Sequence, residues 1–81
     1  MPEKTEKVLI IEDDEKLAMI YAEALRSAGF APEIAQDGRI AQTRLQEIVP
    51  ALILLDLHLP HIAGDELLRQ IRADSRLEKS V

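Results

Sequence analysis

Ala51-Leu52-Ile53-Leu54-Leu55-Asp56, followed by Leu57-His58-Leu59-Pro60-His61-Ile62-Ala63-Gly64, decides the fold of this chain. Five consecutive apolar residues, entered from Pro50 and closed by one carboxylate, read as a strand buried on both faces by helices, with Asp56 at its C-terminal end. That end of a strand is where an open α/β sheet builds its site. Asp56 alone is a weak signal, because a solvated Asp commonly caps or anchors such a strand. A second apolar stretch, Val8-Leu9-Ile10-Ile11, ends in Glu12-Asp13-Asp14. If the two strands are parallel neighbours, their terminal acids form one cluster.

Composition narrows what such a cluster could serve. Eighty-one residues make at most one small domain. A chain of this length buries only roughly 60 to 65% of its unfolded surface, so its core has little in reserve. No cysteine is present, which excludes a disulfide framework, a thiolate metal site and a cysteine nucleophile. The net charge is −5 and the only aromatics are Tyr21 and Phe30, so the segment offers neither a basic footprint for nucleic acid nor a stacking platform for bases. The opening residues, Met1 to Lys7, are polar and mixed in charge, and no apolar run has the length of a signal segment or a membrane span. These features predict a folded cytoplasmic domain that binds neither DNA nor a membrane. Neither Gly-x-x-x-x-Gly-Lys nor Gly-x-Gly-x-x-Gly occurs, which argues against phosphate-loop and dinucleotide enzymes.

Taken in order, residues 1–6 are a polar lead-in and residues 7–81 the domain. The first strand spans 7–11. Asp14 offers an N-cap to a helix whose apolar stripe is read as Leu17, Ile20, Tyr21, Ala24, Leu25 and Ala28, with Gly29 as its stop. Met19 and Tyr21 are read as core or boundary packing. A second strand over 30–35 contains Pro32, which cannot donate to a ladder and so belongs at a sheet edge. Asp37-Gly38 turns into a second helix with Ile40, Ala41, Leu45 and Ile48 facing inward. The third strand covers 51–55, and a helix from about Asp65 to Arg72 turns Leu67, Leu68 and Ile71 inward; 73–80 is turn-like. The order βαβαβα with short connections predicts right-handed crossovers and a parallel sheet in strand order 2-1-3, the opening of a flavodoxin-like fold.

Residues 7–81 resemble the receiver domains of two-component response regulators, CheY-like proteins. The resemblance rests on Val8-Leu9-Ile10-Ile11-Glu12-Asp13-Asp14-Glu15, on Leu54-Leu55-Asp56-Leu57-His58-Leu59-Pro60 with Gly64 beyond, and on Phe30, Asp37-Gly38 and Pro50. It implies that Asp56 accepts a phosphoryl group from a phosphohistidine on a sensor histidine kinase or phosphotransfer protein, so that the domain acts as a signalling switch. It also implies an Mg²⁺ site formed by the carboxylates of Asp13 and Asp56 and the backbone carbonyl of His58, with Glu12 reaching the metal through water. Asp14 becomes a helix cap, and Pro60 and Gly64 shape the loop. The implied protein modifies its own Asp and turns over no external substrate.

The residue chemistry agrees. Three clustered carboxylates raise one another's pKa, and a hard divalent cation with oxygen ligands keeps them ionised. An Asp suits a reversible signal because an acyl phosphate is labile. His58 and His61 have a zinc-like spacing, but zinc needs further well-placed ligands. A dehalogenase-type enzyme, which also uses an Asp after a strand, needs a second acid where this chain has His58. The family's hydroxyl residue on a fourth strand and lysine on a fifth have no counterpart in the 81 residues. The expectation is therefore a portion of a longer receiver, with self-association through the outer edge of the third strand, or a non-signalling interaction module, as alternatives.

Overall fold

A computed structural model describes residues 6–56, 64–74 and 76. Strands and helices alternate as β1 (Lys7–Ile11), α1 (Glu15–Ser27), β2 (Ala31–Ala35), α2 (Gly38–Glu47), β3 (Leu52–Leu55) and α3 (Gly64–Ala73). The strands are parallel in the order β2-β1-β3, the expected order of a flavodoxin-like α/β fold. β1 is central because every residue from Val8 to Ile11 is apolar, and all four are fully buried. Their alternation serves two cores. Val8 and Ile10 pack with Ala18 and Ala22 of α1, while Leu9 and Ile11 pack with Ala35, Ala41, Leu45 and Leu67. Helices therefore cover both faces of the sheet, as parallel strands require.

α1 starts at Asp14, whose carboxylate accepts from the amides of Lys16 and Leu17 at 3.0 and 3.1 Å. It ends at Ala28, and Gly29 takes the left-handed φ of 96° that reverses the chain toward β2. The buried stripe of α1 differs from the expected one. Ala18 and Ala22 form its centre, with Tyr21 and Leu25 half-buried beside them, whereas Leu17, Ile20, Ala24 and Ala28 are exposed and Met19 is 63% exposed. The two alanines bring the helix backbone close to the sheet, so the contact line runs through the smallest residues and the larger ones flank it. Tyr21 lines a cavity with Leu54 and Leu55, which places the exposed Leu17 and Ile20 flank on the β3 side.

A similar correction applies to α2 and β3. Asp37 caps α2 by accepting from the Ile40 amide at 2.9 Å, and Ala41 and Leu45 are buried, but Ile40 is exposed. β3 is not buried on both faces. Leu52, Ile53 and Leu55 are half-buried and Leu54 is 38% exposed, because among the described residues β3 pairs with β1 alone and no element covers its outer flank. β2 takes the opposite edge, where Pro32 is tolerated.

One polar contact ties that edge down. Arg44 of α2 grips the Glu33 carboxylate of β2 through Nε and Nη2 and also donates to Glu47. The hydrogen bonds from Arg44 hold the Glu33 carboxyl below the ordinary glutamate value. A depressed folded-state pKa gives stability that is present above the unfolded value and lost as pH falls through the folded one. Arg44→Gln should therefore lower the Tm at about pH 7, and the deficit should fade as pH drops below the usual carboxylate range of about 4. Thermal unfolding followed by circular dichroism across that range checks it; a deficit independent of pH would place the effect in packing instead.

Candidate functional site

The register of β1 and β3 assembles the site. Ile11 pairs with Leu55, and the Asp56 amide then donates to the Ile11 carbonyl at 2.9 Å. On the other side the Glu12 amide donates to the Ala35 carbonyl at 3.0 Å. The ladder thus carries one residue past the strand ends, placing Glu12 beside Asp56 on neighbouring strands. Asp13 follows at the turn into α1. Carboxylate oxygens of Glu12, Asp13 and Asp56 all lie within 4.8 Å of one another. Asp14, next in sequence, has its carboxylate committed to the α1 cap.

The three acids differ in environment. Glu12 is buried at 8% exposure, Asp56 is half-buried and Asp13 is exposed. Burial is the main reason the Glu12 carboxyl lies above the ordinary glutamate value. The charge of Asp56, a hydrogen bond shared with it, and the charge of Asp13 push the same way, while the Asp14 amide, donating to Glu12 Oε2 at 3.1 Å, pulls it back. A hard divalent cation fits this donor set, since it takes oxygen ligands and offsets repulsion among three carboxylates. Among the described residues the cluster offers carboxylate oxygens alone, the donor type that a hard cation prefers.

The raised Glu12 value yields an expected result. A carboxyl whose folded-state pKa is raised destabilises the fold when ionised, and the cost disappears as pH falls through that raised value. Glu12→Gln should therefore raise the Tm of the metal-free chain at about pH 7, with the gain shrinking as pH approaches the ordinary carboxylate range of about 4. A lower Tm for the metal-free variant would contradict this account.

His58 and Pro60 lie outside the described residues, as does His61, and Gly64 is the first residue of α3. Sequence reading did not place Tyr21 at the site. It lines a cavity of about 310 Å³ with Ile10, Ile11, Glu12, Leu54, Leu55 and Asp56, so one wall beside the acids is aromatic. No local signal marks it, because this wall forms only where α1 lies against β1 and β3.

A parallel sheet in 2-1-3 order with acids gathered at the C-terminal ends of its adjacent strands β1 and β3 defines a flavodoxin-like α/β domain with an oxygen-donor site. Residues 8–80 match the response regulator receiver domain family, and the chain belongs to that family. Over 70 residues it is 40% identical to the DNA-binding response regulator MtrA of Mycobacterium tuberculosis, covering 86% of this chain and 31% of that protein. The transcriptional regulatory protein BaeR of Escherichia coli shows the same identity over 86% of this chain and 29% of its own length. The solved structure of the chemotaxis response regulator CheY4 of Vibrio cholerae superposes with a TM-score of 0.88 at 28% identity, over 93% of this chain and 62% of that one. The chain thus spans about a third of these curated relatives. Response regulators are signalling modules, and no helix among the described residues is long and apolar enough to cross a membrane.

Proposed function

We propose that this domain is a cytoplasmic phosphoacceptor switch in which Asp56 takes a phosphoryl group from a phosphohistidine on a sensor kinase or phosphotransfer protein. The observation that carries the proposal is the convergence of Glu12, Asp13 and Asp56 within 4.8 Å at the ends of adjacent parallel strands. In the transfer, a carboxylate oxygen of Asp56 forms a bond to phosphorus, the donor's P–N bond breaks, and the departing imidazole takes up a proton. Asp56 is suited to this role because it is half-buried, reachable from solvent and fixed in place by its backbone hydrogen bond to Ile11. Asp13 and Asp56 would hold Mg²⁺ directly, with the His58 carbonyl as a further ligand and Glu12 acting through water. The bound cation would screen the carboxylates from the incoming phosphoryl oxygens and offset the charge that develops on them.

Glu12 contributes by position. Its buried carboxylate accepts from the Asp14 amide, which orients the turn between β1 and α1 and so aims Asp13 at the cluster. Intact mass before and after incubation with Mg²⁺ and acetyl phosphate tests the proposal. A gain of one phosphoryl group supports it, and an unchanged mass overturns it for this chain.

A further inference from the structure

The C-terminal end of α2 and the residues just beyond α3 meet in a contact that the acid site does not explain. α2 stops because Ile48 turns extended, with φ −130° and ψ 157°, so its last carbonyls lose their helical donors. Pro50 stands four residues after Gln46 and has no N–H to offer. Arg76 supplies the missing donors: its Nη2 lies 2.6 Å from the Leu45 carbonyl oxygen and its Nη1 3.4 Å from that of Gln46. Asp74 holds the guanidinium in place, accepting from Nε at 3.1 Å, from Nη2 at 2.7 Å and from the Arg76 amide at 2.9 Å. A cation on the negative end of a helix is also favoured by the helix dipole.

Elsewhere the seam between the two helices is thinly packed. Gln42 donates to Gln70 across it, and a cleft of about 310 Å³ lies between α2 and α3. Leu67 is the one α3 side chain, among those described, that is fully buried, and it packs in the same core as Leu9 and Ile11, with Leu55 and the half-buried Ile71, one turn further along α3, against that core. Ile11 and Leu55 directly precede Glu12 and Asp56. α3 is thus pinned through Leu67, beneath the strand ends that carry the acids, with Ile71 a partial contact one turn on and Arg76 the polar tether at its far end.

We propose that the α2–α3 seam is a conformational latch: α3 pivots about Leu67 when Arg76 leaves the α2 carbonyls, and this movement couples α3 to the state of Asp56. Arg76 is a positioning residue in this scheme. The pivot rests on the contacts above, whereas its trigger rests on the receiver reading.

Amide hydrogen exchange on the whole chain tests both parts, using wild type, Arg76→Ala and Arg76→Lys, each free and with Mg²⁺ plus beryllofluoride as a phosphoryl stand-in. In the free state, Arg76→Ala should speed exchange over 67–73 about tenfold while β1 amides keep wild-type protection, because only the far tether is lost. Arg76→Lys should fall between, since a single ammonium cannot span both carbonyls and the carboxylate. It also decides the matter if the alanine variant does not fold. Unchanged exchange over 67–73 in the free Arg76 variants overturns the latch. On loading, the wild type should change protection over 67–73 by about threefold or more, and Arg76→Ala should lose most of that change. An equal change in both chains overturns the coupling. Fluorine NMR reports whether beryllofluoride binds at all; if it does not, the receiver reading fails while the free-state comparison still decides the latch.

Discussion

Asp56→Asn should leave the chain unable to gain a phosphoryl group from acetyl phosphate and Mg²⁺ under conditions that modify the wild type. The substitution keeps side-chain shape, so β3, its pairing with β1 and the backbone hydrogen bond to Ile11 should persist. It removes the nucleophile, because a carboxamide oxygen carries no full negative charge and its nitrogen lone pair is delocalised. It also removes one of three mutually repelling charges, so the metal-free variant should melt no lower than the wild type. Intact mass and thermal unfolding on the same preparation separate loss of chemistry from loss of fold. A phosphoryl gain that survives in Asp56→Asn would move the acceptor elsewhere, and Asp13, the most exposed of the three acids, would become the residue to test.

Leu9→Ala should be among the most damaging single truncations in the core. Leu9 is fully buried in the central strand, in a cluster with Ile11, Ala35, Ala41, Leu45 and Leu67 drawn from β1, β2, α2 and α3. Removing three buried carbons from such a site costs about 2 to 5 kcal/mol, counting both the transfer loss and the cavity left behind. At about 0.05 to 0.15 kcal/mol per residue, a domain of this size has on the order of 4 to 12 kcal/mol in all. The variant should therefore unfold at a much lower urea concentration, or fail to fold. Ile20→Ala removes an aliphatic side chain from the same protein, yet Ile20 is 61% exposed, so its cost should stay within about 0.5 kcal/mol. Urea midpoints for both variants, with matching slopes, check the contrast. Equal losses would mean that the α1 flank is packed in solution.

That contrast also marks the limit of what periodicity could reveal. In α1, Leu17, Ile20, Tyr21, Ala24, Leu25 and Ala28 form a convincing apolar stripe in sequence, but a stripe through Ala18, Tyr21, Ala22 and Leu25 fits the same helix. Only contact with the sheet distinguishes them. Hydropathy favours the larger side chains, whereas close approach of a helix to a strand favours alanine. The unbroken apolar run of β3 misled in the same way. Five apolar residues say that a strand has apolar neighbours on both faces, but not that those neighbours are among the described residues.

The acid site was more legible. β1 and β3 each run into carboxylates and strand order places those ends together, so a cluster of acids was legible from the residues, while the choice of Glu12, Asp13 and Asp56 among them came from the resemblance to receiver domains. What the sequence could not supply was the inequality among them. Glu12 is buried and pushed toward its neutral form, Asp13 is exposed, and Asp56 sits between, because burial depends on how far each residue projects past the sheet and what covers it. Tyr21 as a wall of the cavity and Arg76 on the α2 carbonyls were likewise invisible, since both contacts join residues about thirty apart in the chain.

By itself, then, the sequence determined the element order, the parallel 2-1-3 sheet, the edge position of β2, the helix caps at Asp14 and Asp37 and the presence of acids at the ends of β1 and β3. These follow from local chemistry: apolar runs, capping carboxylates, Gly29 and a proline that cannot donate. Tertiary structure alone decided which flank of α1 is buried, how open β3 is, how the three carboxylates differ and how α3 is held to α2. Each of these depends on contacts between segments far apart in sequence, and no local pattern encodes them.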